Sequence, residues 1–211
     1  MHGLFGSKEI SRASRGGHAA RIPRHSHGWG DMLKYLQSRE SLRVLDIGST
    51  SSVNINYLTG LGHSIYMANL VEEAARPEWT SQNEEGVAVF DVDRFLAANM
   101  NFSGRSFDVV LLWDVVDYLP EALAGPVFSH IYNMMEPGGQ MLCFFHVTHD
   151  PNVRLCRYHL TGNDIVDMQQ AGDYPLLHAY SNRKIENFLS EYGSYRFFLA
   201  KDGLREVMIV R

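Results

Sequence analysis

Two histidines, His146 and His149, stand at the end of the apolar run over residues 140–147 (QMLCFFHV) and just beyond it. Imidazole titrates closer to neutrality than any other side chain, so a histidine ending a buried strand is a candidate to take a proton from a hydroxyl or an amine. Tyr158 and His159 follow behind them, and the plain alternative is that these are ordinary loop side chains. A second chemical stretch covers residues 42–70, LRVLDIGSTSSVNINYLTGLGHSIYMANL. Asp46 punctuates the β-branched run of Val44, Leu45 and Ile47, Gly48 closes it, and Ser49, Thr50, Ser51 and Ser52 are small enough to let a ligand reach the backbone. Residues 53–59 have helix length and stop at Gly60 and Gly62, and residues 63–68 form a second strand ending at Asn69. This is one right-handed βαβ crossover, whose helix N-terminus turns free N–H groups toward whatever sits above the carboxyl end of the sheet.

The elements that must position these groups follow in order. Residues 31–39 read as a short amphipathic helix. Residues 70–75 begin a helix that Pro77 breaks. Residues 86–90 form a strand ending at Asp91 and Val92, with a helical turn over 94–98, and Asp91 also suits an N-cap. Residues 106–113 (SFDVVLLW) are nearly continuously apolar, the pattern of a strand buried on both faces, and Asp114 ends it. A helix over 121–135 stops at Pro137-Gly138-Gly139 before the strand that carries His146. Residues 148–180 read as long, polar and irregular, with a helix over 163–170. A helix capped by Ser181 and a hairpin, residues 195–200 and 204–210 around an Asp-Gly turn, close the chain.

On these residues the chain resembles class I S-adenosylmethionine-dependent methyltransferases. The family's acid and alternating glycines read here as Asp46, Gly48, Thr50 and Ser52, its Pro-Gly-Gly turn as residues 137–139, and its terminal hairpin as residues 195–210. The resemblance implies a three-layer αβα fold, a seven-stranded and mostly parallel sheet with an antiparallel C-terminal hairpin. It implies S-adenosylmethionine as cofactor, held by Asp46, Gly48, Thr50, Ser52, Asn69, Asp91, Val92 and Asp114. Asn69 stands where the family has the carboxylate that grips the ribose, with Glu72 or Glu73 as the alternative source of that charge. Asp91 matches the acid that accepts from the adenine amino group, and Asp114 opens the loop toward the methionine end and the substrate. His146 and His149 are the implied catalytic bases for transfer to a small-molecule acceptor. Thr50, Ser52 and Asn69 depart from the pattern, and they keep open a non-catalytic binding or scaffold domain that has lost the cofactor. A nicotinamide-dependent oxidoreductase is disfavoured by the terminal hairpin.

The 211 residues suit one α/β domain, over 31–211, preceded by a basic arm over 1–30 and carrying a substrate-side insertion over 148–181. The arm holds Lys8, Arg12, Arg15, Arg21 and Arg24, and reads either as a solvated tail or as a lid over an anionic substrate. A net charge of −5 gives no pull toward nucleic acid. The sequence offers no membrane-spanning run, no secretory leader and only Cys143 and Cys156, so a soluble cytoplasmic protein is expected. No second carboxylate stands at a telling spacing from Asp114, and His25 and His27, at alternating positions before Trp29, read as ordinary surface histidines, so no metal is expected.

Overall fold

A computed structural model describes residues 19–199 and 202–211; Lys8, Arg12 and Arg15 of the arm lie outside the described residues. Strand β1 (Ile22–His25) passes through Ser26, whose hydroxyl accepts from the Trp29 N–H, into helix α1 (His27–Gln37). The helix therefore starts four residues before the expected point, because Ser26 supplies the cap. The crossover unit is β2 (Arg43–Ile47), α2 (Ser52–Gly60) and β3 (Ser64–Ala68). Helix α3 (Leu70–Ala74), strands β4 (Thr80–Gln82) and β5 (Ala88–Phe90) and helix α4 (Val92–Asn99) come next. Then come β6 (Phe107–Trp113), a 3-10 turn (Val115–Tyr118), α5 (Glu121–Met134) and β7 (Met135–His146). The chain closes with β8 (Arg154–Leu160), β9 (Ile165–Pro175), α6 (Asn182–Phe188), β10 (Ser194–Leu199) and β11 (Leu204–Val210).

The central sheet has six strands in the order β10-β11-β7-β6-β2-β3. Strands β3, β2, β6 and β7 run parallel, and β11 lies antiparallel to both β7 and β10. Side chains alternate between two cores. Leu45, Ile47, Val110, Leu112, Cys143 and Phe145 face α3, α4, α5 and α6, whereas Val44, Val109, Leu111, Leu142 and Phe144 face α1 and α2. Strands buried on both faces need such near-continuous apolar runs. The Pro-Gly-Gly turn expected before this strand lies inside β7 instead, where the register against β6 shifts between Phe107–Met135 and Val109–Gln140. A Cβ on Gly139 there would lie 2.8 Å from the Glu136 carbonyl oxygen and 3.2 Å from those of Phe107 and Asp108, so only glycine lets this strand run beside β6.

Two further expectations are corrected. The seventh strand does not join the sheet: β5 instead pairs antiparallel with β4, Thr80 opposite Phe90 and Gln82 opposite Ala88. Asn83 Oδ1 accepts the N–H groups of Glu85 and Val87 at 3.1 and 2.9 Å, so local turn chemistry closes this hairpin. Ala88 and Val89 are exposed, leaving little apolar area to reward a non-local pairing with β3. Likewise, residues 163–170 are not helical. Strand β9 pairs with β8 and with β1 in a three-stranded antiparallel sheet, Ile22 opposite Met168 and His159 opposite Asp167. Val166 and Met168 alternate with Asp167 and Gln169 at the period of a strand, and Val166 is buried in the α1–α2 core.

Candidate functional site

At the carboxyl end of β2 the Asp46 carboxylate is fully buried, and both its oxygens are engaged by the chain itself. Oδ1 accepts from Trp113 Nε1 at 2.8 Å and Oδ2 from Asn54 Nδ2 at 3.2 Å. Burial pushes its pKa up against those two bonds. Gly48 has φ +148° and donates its N–H to the Ala68 carbonyl at 2.8 Å, while a Cβ there would meet Trp113 and Val115 at 3.4 Å. Trp113 itself is held at φ +49°, a conformation that bulky residues adopt only when their surroundings enforce it. Its ring stacks on Tyr158 at 4.8 Å and 8°. Thr50 is half-buried, Ser51 caps α2 by accepting from the Asn54 N–H, and Ser52, the first residue of that helix, is exposed. Strand β8 is fastened over this loop. Asn54 donates to the Tyr158 carbonyl at 2.9 Å and accepts from the Leu160 N–H at 2.9 Å, and Arg157 Nε donates to the Ser49 carbonyl at 3.1 Å.

At the end of β3, Asn69 Nδ2 donates to Glu72 Oε2 at 2.7 Å, and Asn69 Oδ1 is buried without a partner. Glu73 is committed to Arg76 at 3.0 Å. Asp91 is exposed and caps α4 by accepting from the Arg94 N–H at 3.1 Å; Val92 opens that helix.

The carboxyl ends of β6 and β7 carry a buried ionisable cluster. Asp117 Oδ2 accepts from the backbone N–H of His146 at 2.6 Å and pairs with its Nδ1 at 3.0 Å. Asp114 Oδ2 lies 3.9 Å from His146 Nε2. A second carboxylate therefore does stand with Asp114, three residues on, because the 3-10 turn folds both acids toward one imidazole. Burial pushes the Asp114 pKa up to about 6, with His146 opposing and Asp117 adding to the rise. Burial also raises that of Asp117. For His146 burial works downward, but the Asp117 hydrogen bond and the two negative charges outweigh it and hold the imidazole above its ordinary value. His149 lies apart from this cluster and pairs with the Leu176 carbonyl at 3.0 Å.

His146 also lines a groove of about 710 Å³ with Ile22, Arg24, Met168, Phe198 and Leu204. Arg24 is no solvated arm residue. It is 5% exposed and bound to Asp202 at 2.5 Å and to Glu206 at 2.6 Å, and Glu206 also receives the Gly28 N–H at 2.6 Å. Among the described residues no group of three or more His, Cys, Asp or Glu side chains could hold a metal, and no helix is long and apolar enough to cross a membrane.

A family model described as a methyltransferase domain matches residues 21–194 of the chain. The chain belongs to this methyltransferase-domain family. No curated protein sequence matches it. Among solved structures, it is 14% identical to 1,6-didemethyltoxoflavin-N1-methyltransferase of Burkholderia thailandensis, whose structure holds 1,6-didemethyltoxoflavin and S-adenosylhomocysteine, with 88% of this chain and 77% of that one covered at a TM-score of 0.47. It is 13% identical to an S-adenosylmethionine-dependent methyltransferase of Clostridium acetobutylicum, with 87% and 90% covered at 0.49. It is 12% identical to TehB of Haemophilus influenzae, where the chain spans 62% of the other protein and 86% of its own length at 0.48.

Within this methyltransferase domain the expected positions fall into three groups. Asp46, Gly48, Thr50, Ser52 and Asn69 gather around the ends of β2 and β3, Asp114 and His146 share the buried cluster, and Asp91, Val92 and His149 stand outside both. Asp117, Asn54, Trp113 and Arg157 escaped the sequence reading. Asp117 alone left a signal, as an acid inside the apolar VVDYLP segment, where a buried carboxylate needs a partner.

Proposed function

We propose that the domain transfers a methyl group from S-adenosylmethionine to a small-molecule acceptor bound in the groove beside His146. What carries the reading is that the Gly48 loop, an unmet acceptor on Asn69 and an imidazole that lines a groove each stand at the carboxyl end of a parallel strand, on β2, β3 and β7. Crevices at this end of an open α/β sheet are where such folds bind their ligands. The cofactor fits one particular of the structure: Asn69 Oδ1 is buried with no partner, and a ribose hydroxyl is a donor that would satisfy it. Gly48, Thr50 and Ser52 would face the cofactor along the loop, with Asp46 holding that loop through Asn54 and Trp113. Asp114 would stand at the methionine end, and Asp91 and Val92 on the adenine side. When bound, the cofactor supplies an electrophilic methyl group on a sulfonium, so the chain has chiefly to align donor and acceptor and to take up a proton. His146 suits the second task, with His149 as the further base in this part of the domain. The groove's volume is that of a small-molecule site, and its walls of Ile22, Met168, Phe198 and Leu204 are apolar.

Isothermal titration with S-adenosylhomocysteine tests the reading. Saturable heat is expected; none at protein concentrations of about 100 μM, near the weak end of useful cofactor affinity, would reject it in favour of a scaffold domain.

A further inference from the structure

We infer that Asp117 is the positioning residue for His146, fixing Nδ1 as the hydrogen-bearing nitrogen and leaving Nε2 to take the acceptor's proton. The inference rests on the reading of His146 as the base in methyl transfer. A single oxygen, Asp117 Oδ2, meets both the backbone N–H and Nδ1 of the same histidine, at 2.6 and 3.0 Å. That oxygen already accepts the amide hydrogen, so Nδ1 carries its own hydrogen toward it. Two bonds to one anchor, from main chain and ring, fix the ring's orientation against its backbone. Asp117 is itself held fast. Its side chain is fully buried, its N–H donates to the Asp114 carbonyl at 3.1 Å, and its carbonyl receives the N–H groups of Leu177 and His178 at 3.0 and 2.9 Å. The Tyr118 ring stands edge-on to the imidazole at 5.8 Å, which restrains the ring further.

With Nδ1 committed, Nε2 is the open nitrogen. At 3.9 Å from Asp114 Oδ2 it is beyond a hydrogen bond yet within range of that carboxylate's charge. With the cofactor supplying a methyl group on a sulfonium, the acceptor's X–H bond would break, its proton joining the Nε2 lone pair and its electron pair staying on X to form the bond to the methyl carbon, while the sulfur–methyl bond would break with its electron pair left on sulfur. The imidazolium so formed lies between two carboxylates and can return its proton through the groove that His146 lines. The surrounding charged and titratable groups are Asp114, Asp117 and Tyr118 on the turn after β6, Tyr158 on β8 and His178 after β9. Arg205 and the set of Arg24, Asp202 and Glu206 stand on the side of β1 and β11, Cys143 on β7, Cys156 on β8 and Tyr180 after β9 face the two carboxylates, and His25 and His27 line the same groove.

The experiment is a pH titration by long-range proton–nitrogen NMR on the full chain with labelled histidine and no cofactor or acceptor, His146 being assigned by its loss in His146→Gln. In the wild type the neutral ring should be the Nδ1–H tautomer. Asp117→Asn should move the His146 midpoint to lower pH and weaken the tautomer preference, whereas Asp114→Asn should lower the midpoint and keep the tautomer. A purely structural Asp117 would change stability and leave the midpoint where it was. An Nε2–H tautomer in the wild type, or an unmoved midpoint in Asp117→Asn, overturns the inference. If Asp117→Asn does not fold, the wild-type tautomer and Asp114→Asn still decide. Titration with S-adenosylhomocysteine separates the two readings: binding with an Nε2–H ring rejects this inference alone, whereas an Nδ1–H ring without binding rejects the methyl-transfer reading, and with it the proton-accepting role of Nε2, while Asp117's hold on the ring stands.

Discussion

If the proposed cofactor sets its ribose at the end of β3, Asn69→Asp discriminates between two ways of holding it. If the position needs only a stronger acceptor, the new carboxylate should tighten cofactor binding. The structure argues for the opposite outcome. Asn69 Nδ2 is the donor in a 2.7 Å bond to Glu72 Oε2, and the change deletes that donor and sets two carboxylates within hydrogen-bond distance. Two unit charges about 4 Å apart in a water-like dielectric repel by about 1 kcal/mol. The lost bond adds less than a buried one would, because Glu72 is exposed and screened. An acceptor oxygen at position 69 survives the change, so what is lost is its alignment. Affinity for S-adenosylhomocysteine should therefore fall about five-fold, or about 1 kcal/mol, read by isothermal titration. Glu72→Gln, which keeps an acceptor for the amide, should change affinity by less than about two-fold. A five-fold gain for Asn69→Asp would refute the argument and show that the two carboxylates move apart and share the ribose.

Asn54→Ala should destabilise the fold by about 2 to 4 kcal/mol in urea titration, because it orphans the buried Leu160 N–H and Tyr158 carbonyl and half of Asp46. Hydrogen exchange in β8 should quicken with it, and a loss below about 0.5 kcal/mol would contradict the clamp. The raised Asp114 pKa carries a signed pH dependence. The folded value of about 6 lies above the ordinary 3.8, so the stability it contributes is complete below the ordinary value and is lost as pH rises through 6. His146, also raised, has the same sign: its contribution is present below its ordinary titration and lost as pH rises through the folded one. The urea midpoint should fall between about pH 4 and pH 8, and Asp114→Asn should recover up to about 3 kcal/mol at the upper end while changing little at the lower. An Asp114→Asn variant less stable than wild type at pH 8 would refute this.

What the sequence determined by itself was whatever repeats at short range. The apolar runs of β2, β6, β7 and β11, the Ser181 cap and the Pro-Gly-Gly break after α5 are set by neighbours a few residues apart, where side-chain pattern and backbone freedom suffice. So was the crossover unit, since a strand-helix-strand connection of this length leaves few alternatives. The tertiary structure decided whatever depends on which distant segment arrives alongside. Strand β9 is polar and half-exposed, and it is held as a strand by the neighbouring β8 on one edge and on the other by β1, some 140 positions away. Residues 86–90 had strand character, yet the Asn83 turn captured them before the sheet edge could. His146 was legible as a candidate base from its place at the end of an apolar run. Its partner Asp117, 29 residues earlier, and the Asp46–Trp113 bond spanning 67 residues were not. Buried polar groups must be paired, but their types alone do not say with whom; that choice falls to the sheet order that brings the ends of β2, β6 and β7 together.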